Sequence, residues 1–161
     1  MLPAVDRQHH DRLNRQRGNT RQKESVATQI DPRASLIRKL SDPGTKGVMS
    51  VAFSPDGKLL VAGDNNGHTY LWDVAHGKLI SNLPDPGTKS VTSVACSPDN
   101  TTMAAAGSNG SIYIWNVRNG KLLATLAAPR KAVINSMAYS PDGQVLAAGD
   151  NNGSVFLWYK S

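Results

Sequence analysis

The chain has 161 residues, a single cysteine, 18 Lys and Arg against 12 Asp and Glu, and a formal net charge of +6. That length suits one domain with a sizeable core and is too short for two of ordinary size. One cysteine excludes a disulfide framework and a four-thiolate zinc site, and no apolar run approaches the ~18 residues of a membrane-spanning helix, so a soluble, cytoplasmic protein with no membrane partner is expected.

Residues 1–34 hold seven Lys and Arg and four Asp and Glu, which is half of the net charge. They contain no aromatic side chain and no sustained period of 2 or 3.6, so a disordered basic N-terminal tail is expected over 1–34. Asp6 and Arg7 interrupt any secretory apolar segment. Arg12, Arg15, Arg17, Arg21 and Lys23 are able to touch phosphates without sequence preference, although a short charge run more often serves solubility.

From residue 41 the chain repeats with a period of 43, without gaps. Ser-Pro-Asp stands at 54–56, 97–99 and 140–142, and Trp72, Trp115 and Trp158 keep the same interval. So do Asn66, Asn109 and Asn152, with Gly67, Gly110 and Gly153. The repeats run over about 41–83, 84–126 and 127–161, preceded by residues 35–40, whose Ser-Leu-Ile-Arg-Lys-Leu matches the last strand of a repeat. A period of this length marks a stack of supersecondary units.

In chain order, residues 47–53 and 58–63 are short apolar runs joined by Ser54-Pro55-Asp56-Gly57, where Pro presets φ and Gly accepts the left-handed position. Residues 68–74 follow through an Asn66-Gly67 hairpin turn, and 78–83 through His76-Gly77. Each repeat therefore predicts four antiparallel strands. Their near-continuous apolar character implies burial on both faces, as in the blades of a propeller. No helix is predicted.

The segment Ser50–Val74, ending in Trp72-Asp73, resembles the WD-repeat β-propeller family, and the likeness covers 35–161 with three repeats. The resemblance implies an all-β fold of four-stranded antiparallel blades. The departures are specific. Pro43-Gly44, Pro86-Gly87 and Pro129-Arg130 replace the family's Gly-His, and Ala62, Ala105 and Ala148 its strand Ser. Asn66, Asn109 and Asn152 replace its turn Asp. Of the family's hydrogen-bonded Asp-His-Ser-Trp network only Trp persists, so that network is expected to be absent.

Three blades do not close a ring, since propellers use about four to eight. Two outcomes are expected with equal weight: an open, partial propeller, or a homodimer in which each chain lends residues 35–40 to the other and six blades close.

Chemistry is sparse. The repeats contain no Glu, and their eight Asp stand at repeat-equivalent turn positions, which argues against general acids. His68 and His76 read as turn residues, Cys96 replaces Phe53 and Tyr139 at a strand position, and no ligand spacing points to a metal. Neither catalytic residues nor cofactors are expected.

By the resemblance, the loops 42–47, 85–90 and 128–132 share one face with the Asn-Gly turns. The candidate partner-binding residues there are Lys46, Asp64, Asn65, Lys89, Ser108, Arg130, Lys131, Asp150 and Asn151. The expected function is a non-enzymatic scaffold that binds a protein or peptide. The alternatives are a detached regulatory or sensory fragment of a larger signalling protein such as a kinase, and a nucleic-acid-associated scaffold acting weakly through its tail.

Overall fold

The computed structural model describes residues 33–44 and 46–161. The chain falls into two units, Met1–Lys39 and Leu40–Ser161. The expected tail over 1–34 lies outside the described residues except for its last two. Residues 35–40, expected as a strand, enter no ladder, and Leu36 and Ile37 are exposed. A strand forms only against an edge that satisfies its N–H and C=O groups, and sequence likeness to other fourth strands does not provide one.

The second unit is all-β, a partial propeller of three open antiparallel sheets, with no helix among the described residues. The first blade is β1 (Val48–Phe53), β2 (Leu59–Asp64), β3 (His68–Asp73) and β4 (Lys78–Pro84). The second is β5 (Val91–Cys96), β6 (Thr102–Gly107), β7 (Ser111–Asn116) and β8 (Leu122–Ala127). The third has three strands, β9 (Ile134–Tyr139), β10 (Val145–Asp150) and β11 (Val155–Tyr159). Neighbours in sequence are neighbours in each sheet. The register repeats with the 43-residue period, Leu60 opposite Trp72, Met103 opposite Trp115 and Leu146 opposite Trp158.

The turn between the first two strands is built three times from the same atoms. Ser54 Oγ donates to Asp56 Oδ1 at 2.6 Å and accepts from Leu59 N at 2.9 Å, while Lys58 N donates to Asp56 Oδ1 at 3.0 Å. Ser97 with Asp99 and Ser140 with Asp142 do the same. These hydrogen bonds hold the three carboxyls below the usual carboxylate range, the Ser hydroxyl contributing most. Asn100 takes a φ of 59° where Gly57 and Gly143 stand in the other blades.

Two apolar cores lie between successive blades. Val61, Leu71 and Leu83 of the first pack on Val91, Val94, Met103 and Trp115 of the second. Ala104, Ala106 and Ile112 pack in turn on Ile134, Leu146 and Ala148. The second blade thus packs on both faces, as its continuous apolar runs require.

The blades are also joined by a polar network, built at other positions than the family's network that was expected to be absent. Trp115 Nε1 donates to Asp85 Oδ1 at 2.8 Å, and Thr69 Oγ1 of the preceding blade donates to Asp85 Oδ2 at 2.6 Å. The carboxylate comes from the loop between blades and the hydroxyl from β3, neither being a position at which the family's network was sought. A buried indole N–H needs an acceptor, and Asp85 supplies it. Ala128 occupies the corresponding place before the third blade, so the network is not repeated there.

Candidate functional site

The loops that precede each first strand and the Asn-Gly turns do meet at one rim. Within the blades, Asn65 N donates to Gly47 O, Ser108 N to Ser90 O and Asn151 N to Val133 O, at 2.9 to 3.0 Å. Between blades, Asp85 N donates to Gly67 O and Ala128 N to Gly110 O, both at 2.9 Å. Ser90 Oγ adds a bond to Asn65 Oδ1 at 2.8 Å. Gly67 and Gly110 sit at φ of 77° and 76°, and a Cβ on Gly67 would lie 2.4 Å from the Thr88 carbonyl oxygen. Glycine is needed there both for its backbone and for close approach.

Of the candidate residues, Lys46, Asn65, Lys89, Arg130, Lys131 and Asn151 are exposed on this rim. Ser108 is half-buried, its N–H bonded to Thr88 Oγ1 at 3.0 Å. Asp64 and Asp150 face inward and do not line the surface: Asp64 is 0% and Asp150 8% exposed. Asp64 Oδ1 accepts from Asn66 N and His68 N, both at 2.9 Å, and Oδ2 from Asn66 Nδ2 and Tyr70 Oη at 3.2 Å. Asp150 Oδ1 accepts from Asn152 N and Ser154 N in the same manner. These carboxylates brace the hairpin, a role that the resemblance had placed two residues later, at the Asn-Gly pair.

The second blade has Gly107 at this position, and its turn is rebuilt. A Cβ there would meet Thr88 Oγ1 at 2.5 Å and Asn109 Oδ1 at 2.6 Å. Asn109 Oδ1 accepts from Ser111 N, and the Tyr113 hydroxyl donates to the Pro86 carbonyl. Thr88 is the rim residue the sequence reading missed. The signal was the loss of Asp from one repeat of three, which requires another group to satisfy the turn.

The electrostatic consequence is a rim of one sign. Lys46, Lys89, Arg130 and Lys131 are exposed, and none forms an ion pair among the described residues, where His76 pairs with Asp73 and Lys160 with Asp99. The nearby carboxylates Asp64, Asp85 and Asp150 are buried, and Asp42 is half-buried, its Oδ1 accepting from Gly44 N at 2.6 Å. Burial pushes the Tyr70 hydroxyl well above its ordinary value, with the charges of Asp64 and Asp42 adding to the shift.

The remaining chemistry-bearing groups have local partners. His68 Nδ1 lies 2.6 Å from Asn82 Oδ1, with its ring stacked on Tyr70, and His76 Nδ1 lies 3.0 Å from Asp73 Oδ2. Burial pushes the Cys96 thiol up to about 11, which keeps it protonated at neutral pH. Among the described residues no three His, Cys, Asp or Glu side chains are placed to hold a metal ion. One apolar groove of about 410 Å³ opens between the second and third blades, lined by Ile114, Leu123, Leu126, Tyr139, Trp158 and Tyr159 among others.

Residues 16–159 match the family model described as the N-terminal domain of Nucleolar protein 10-like proteins, a β-propeller family. No curated protein matches the chain. The family description overturns the expectation of a cytoplasmic location, which rested only on the absence of a targeting or spanning segment. It points to a nucleolar setting.

Proposed function

Because the chain belongs to the Nucleolar protein 10-like N-terminal domain family of β-propellers, we propose that it is a non-enzymatic interaction scaffold of WD-repeat type, acting in a nucleolar setting. Its loop rim binds an acidic segment of a partner protein. The observation that carries this reading is the sorting of charge at the rim, four cations outward and the neighbouring carboxylates inward. Such a surface favours an acidic partner by complementarity and by faster encounter.

Fluorescence anisotropy of a labelled Asp/Glu-rich peptide with the full chain tests it. Binding should weaken as salt rises, and reversal of Lys46 and Lys89 together to Glu should cost about tenfold in affinity, near 1.4 kcal/mol. Affinity indifferent to both would remove the reading.

A second reading draws on the basic composition of residues 1–34 and on the family's nucleolar name. In it the chain also contacts RNA phosphates through this segment. RNA binding with a steep salt dependence that is lost on removing 1–34 supports it, and binding unchanged by the removal sinks it.

A further inference from the structure

The loop into the third blade departs from the other two at the rim. The first two repeats read Pro43-Gly44-Thr45-Lys46 and Pro86-Gly87-Thr88-Lys89, whereas the third reads Pro129-Arg130-Lys131-Ala132. Three consecutive positions have changed, and the cations stand earlier in the loop.

The backbone changes with them. In the second blade Thr88 N donates to Asp85 O at 3.4 Å with Gly87 at a φ of 74°, a type II turn, and the Pro86 carbonyl accepts from the Tyr113 hydroxyl. In the third blade Lys131 N donates to Ala128 O at 3.1 Å and Arg130 keeps a negative φ, a type I turn. Two substitutions account for the difference. Arg130 carries a Cβ that disfavours the left-handed place of Gly87, and Phe156, standing for Tyr113, has no hydroxyl to hold the turn carbonyl.

The left-handed step falls instead on Lys131, at a φ of 51°. Among the described residues other than glycine, only Asn100 shares that region, and Asn is a type that visits it readily. A lysine is held there only where its surroundings impose it, and residues held in this way gather at binding sites. The hairpin of the second blade imposes it. A Cβ on Gly110 would lie 2.6 Å from Lys131 Cα and 2.8 Å from Ala132 O, so the loop rests on bare backbone, and Ala128 N donates to Gly110 O at 2.9 Å. Arg130 and Lys131 are both exposed, with no ion pair among the described residues.

We infer that Arg130 and Lys131 are the principal anchor for the acidic segment, an inference that rests on the rim reading proposed above. The backbone of Lys131 is fixed before the partner arrives, so less freedom is lost when its ammonium pairs with a carboxylate. Arg130 carries the one guanidinium of the four rim cations, and it takes a second carboxylate through two parallel N–H donors. Lys46 and Lys89 add to the field that steers encounter.

Fluorescence anisotropy with labelled hexaglutamate, together with urea unfolding of the full chain, tests this. Lys131→Gly and Arg130→Gln should each weaken binding about tenfold, against about twofold for Lys46→Gln. Glycine takes a positive φ without strain, so Lys131→Gly should also raise the urea midpoint. Weaker binding with greater stability is an outcome that damage to the fold does not produce. If either variant binds as well as Lys46→Gln, or Lys131→Gly is less stable than wild type, the inference is overturned and the rim reading stands. Wild type that does not bind the peptide removes both.

Discussion

At the residue scale, Asp85 shows how a single buried carboxyl links pH to stability. Burial pushes it up from 3.8 to about 6, against the opposing pull of its Thr69 and Trp115 donors. Below the ordinary value the folded and unfolded chains both hold the proton, and above about 6 both have lost it, leaving the folded chain with a buried charge. Stability therefore falls as pH rises between about 3.8 and about 6, by an amount on the order of 3 kcal/mol. The exposed carboxyls Asp56, Asp99 and Asp142 and the half-buried Asp73 are shifted down, so they act in the opposite sense and only at lower pH. Urea unfolding across this range should show the decline in wild type and not in Asp85→Asn, whose amide can still accept from Trp115 and bond Thr69. Equal slopes in both would remove Asp85 as the cause.

A second residue-scale prediction concerns the third blade. Asp150 Oδ2 is buried with no hydrogen-bond partner among the described residues, whereas Asp64 Oδ2 has Tyr70 Oη. The position of Tyr70 is filled by Phe156, in the same register opposite Ala148 as Tyr70 is opposite Ala62. Phe156→Tyr supplies the missing donor and should stabilise the chain by about 1 kcal/mol in thermal or urea unfolding. A loss of stability would show that the third hairpin does not follow the geometry of the first.

At the element scale, the hairpin turns differ by what lies against them. Gly67→Ala suffers both a positive φ and a collision with the Thr88 carbonyl, whereas Gly153→Ala suffers only the φ. The left-handed position costs a residue with Cβ about 1 to 2 kcal/mol, so unfolding measurements should find Gly67→Ala the more damaging by a clear margin. Equal losses would mean that the loop at Thr88 yields without cost.

The strands and their order were legible in the sequence because both depend on local signals. Ser-Pro-Asp and Asn-Gly fix the turns, and the period fixes the register. The rim was legible to the same degree, since its loops are repeat-equivalent. The fate of individual carboxylates was not. Asp64 and Asp150 looked like surface groups because they flank a polar turn, yet each satisfies two backbone N–H groups of that turn and is drawn inside. Asp85 was hidden for the converse reason. Its partners Thr69 and Trp115 lie on two different blades, 16 and 30 residues away, and no local pattern joins them.

At the scale of the whole molecule, one packing step is used twice within the chain and left open at both ends. Val48 and Val51 are exposed where Val91 and Val94, their equivalents in the second blade, are covered by the first, and a Cβ on Gly149 meets nothing within 4 Å where one on Gly63 meets Val91. Apolar faces of this kind, beside an unpaired strand edge, favour association over exposure to water.

Hydrogen–deuterium exchange of the full chain tests the stacking of the blades most directly. If the second blade is covered on both faces, the amides of β6 and β7 exchange slowest and those of β11, at the edge of its sheet, much faster. Exchange over β6 and β7 as fast as over β11 would contradict it.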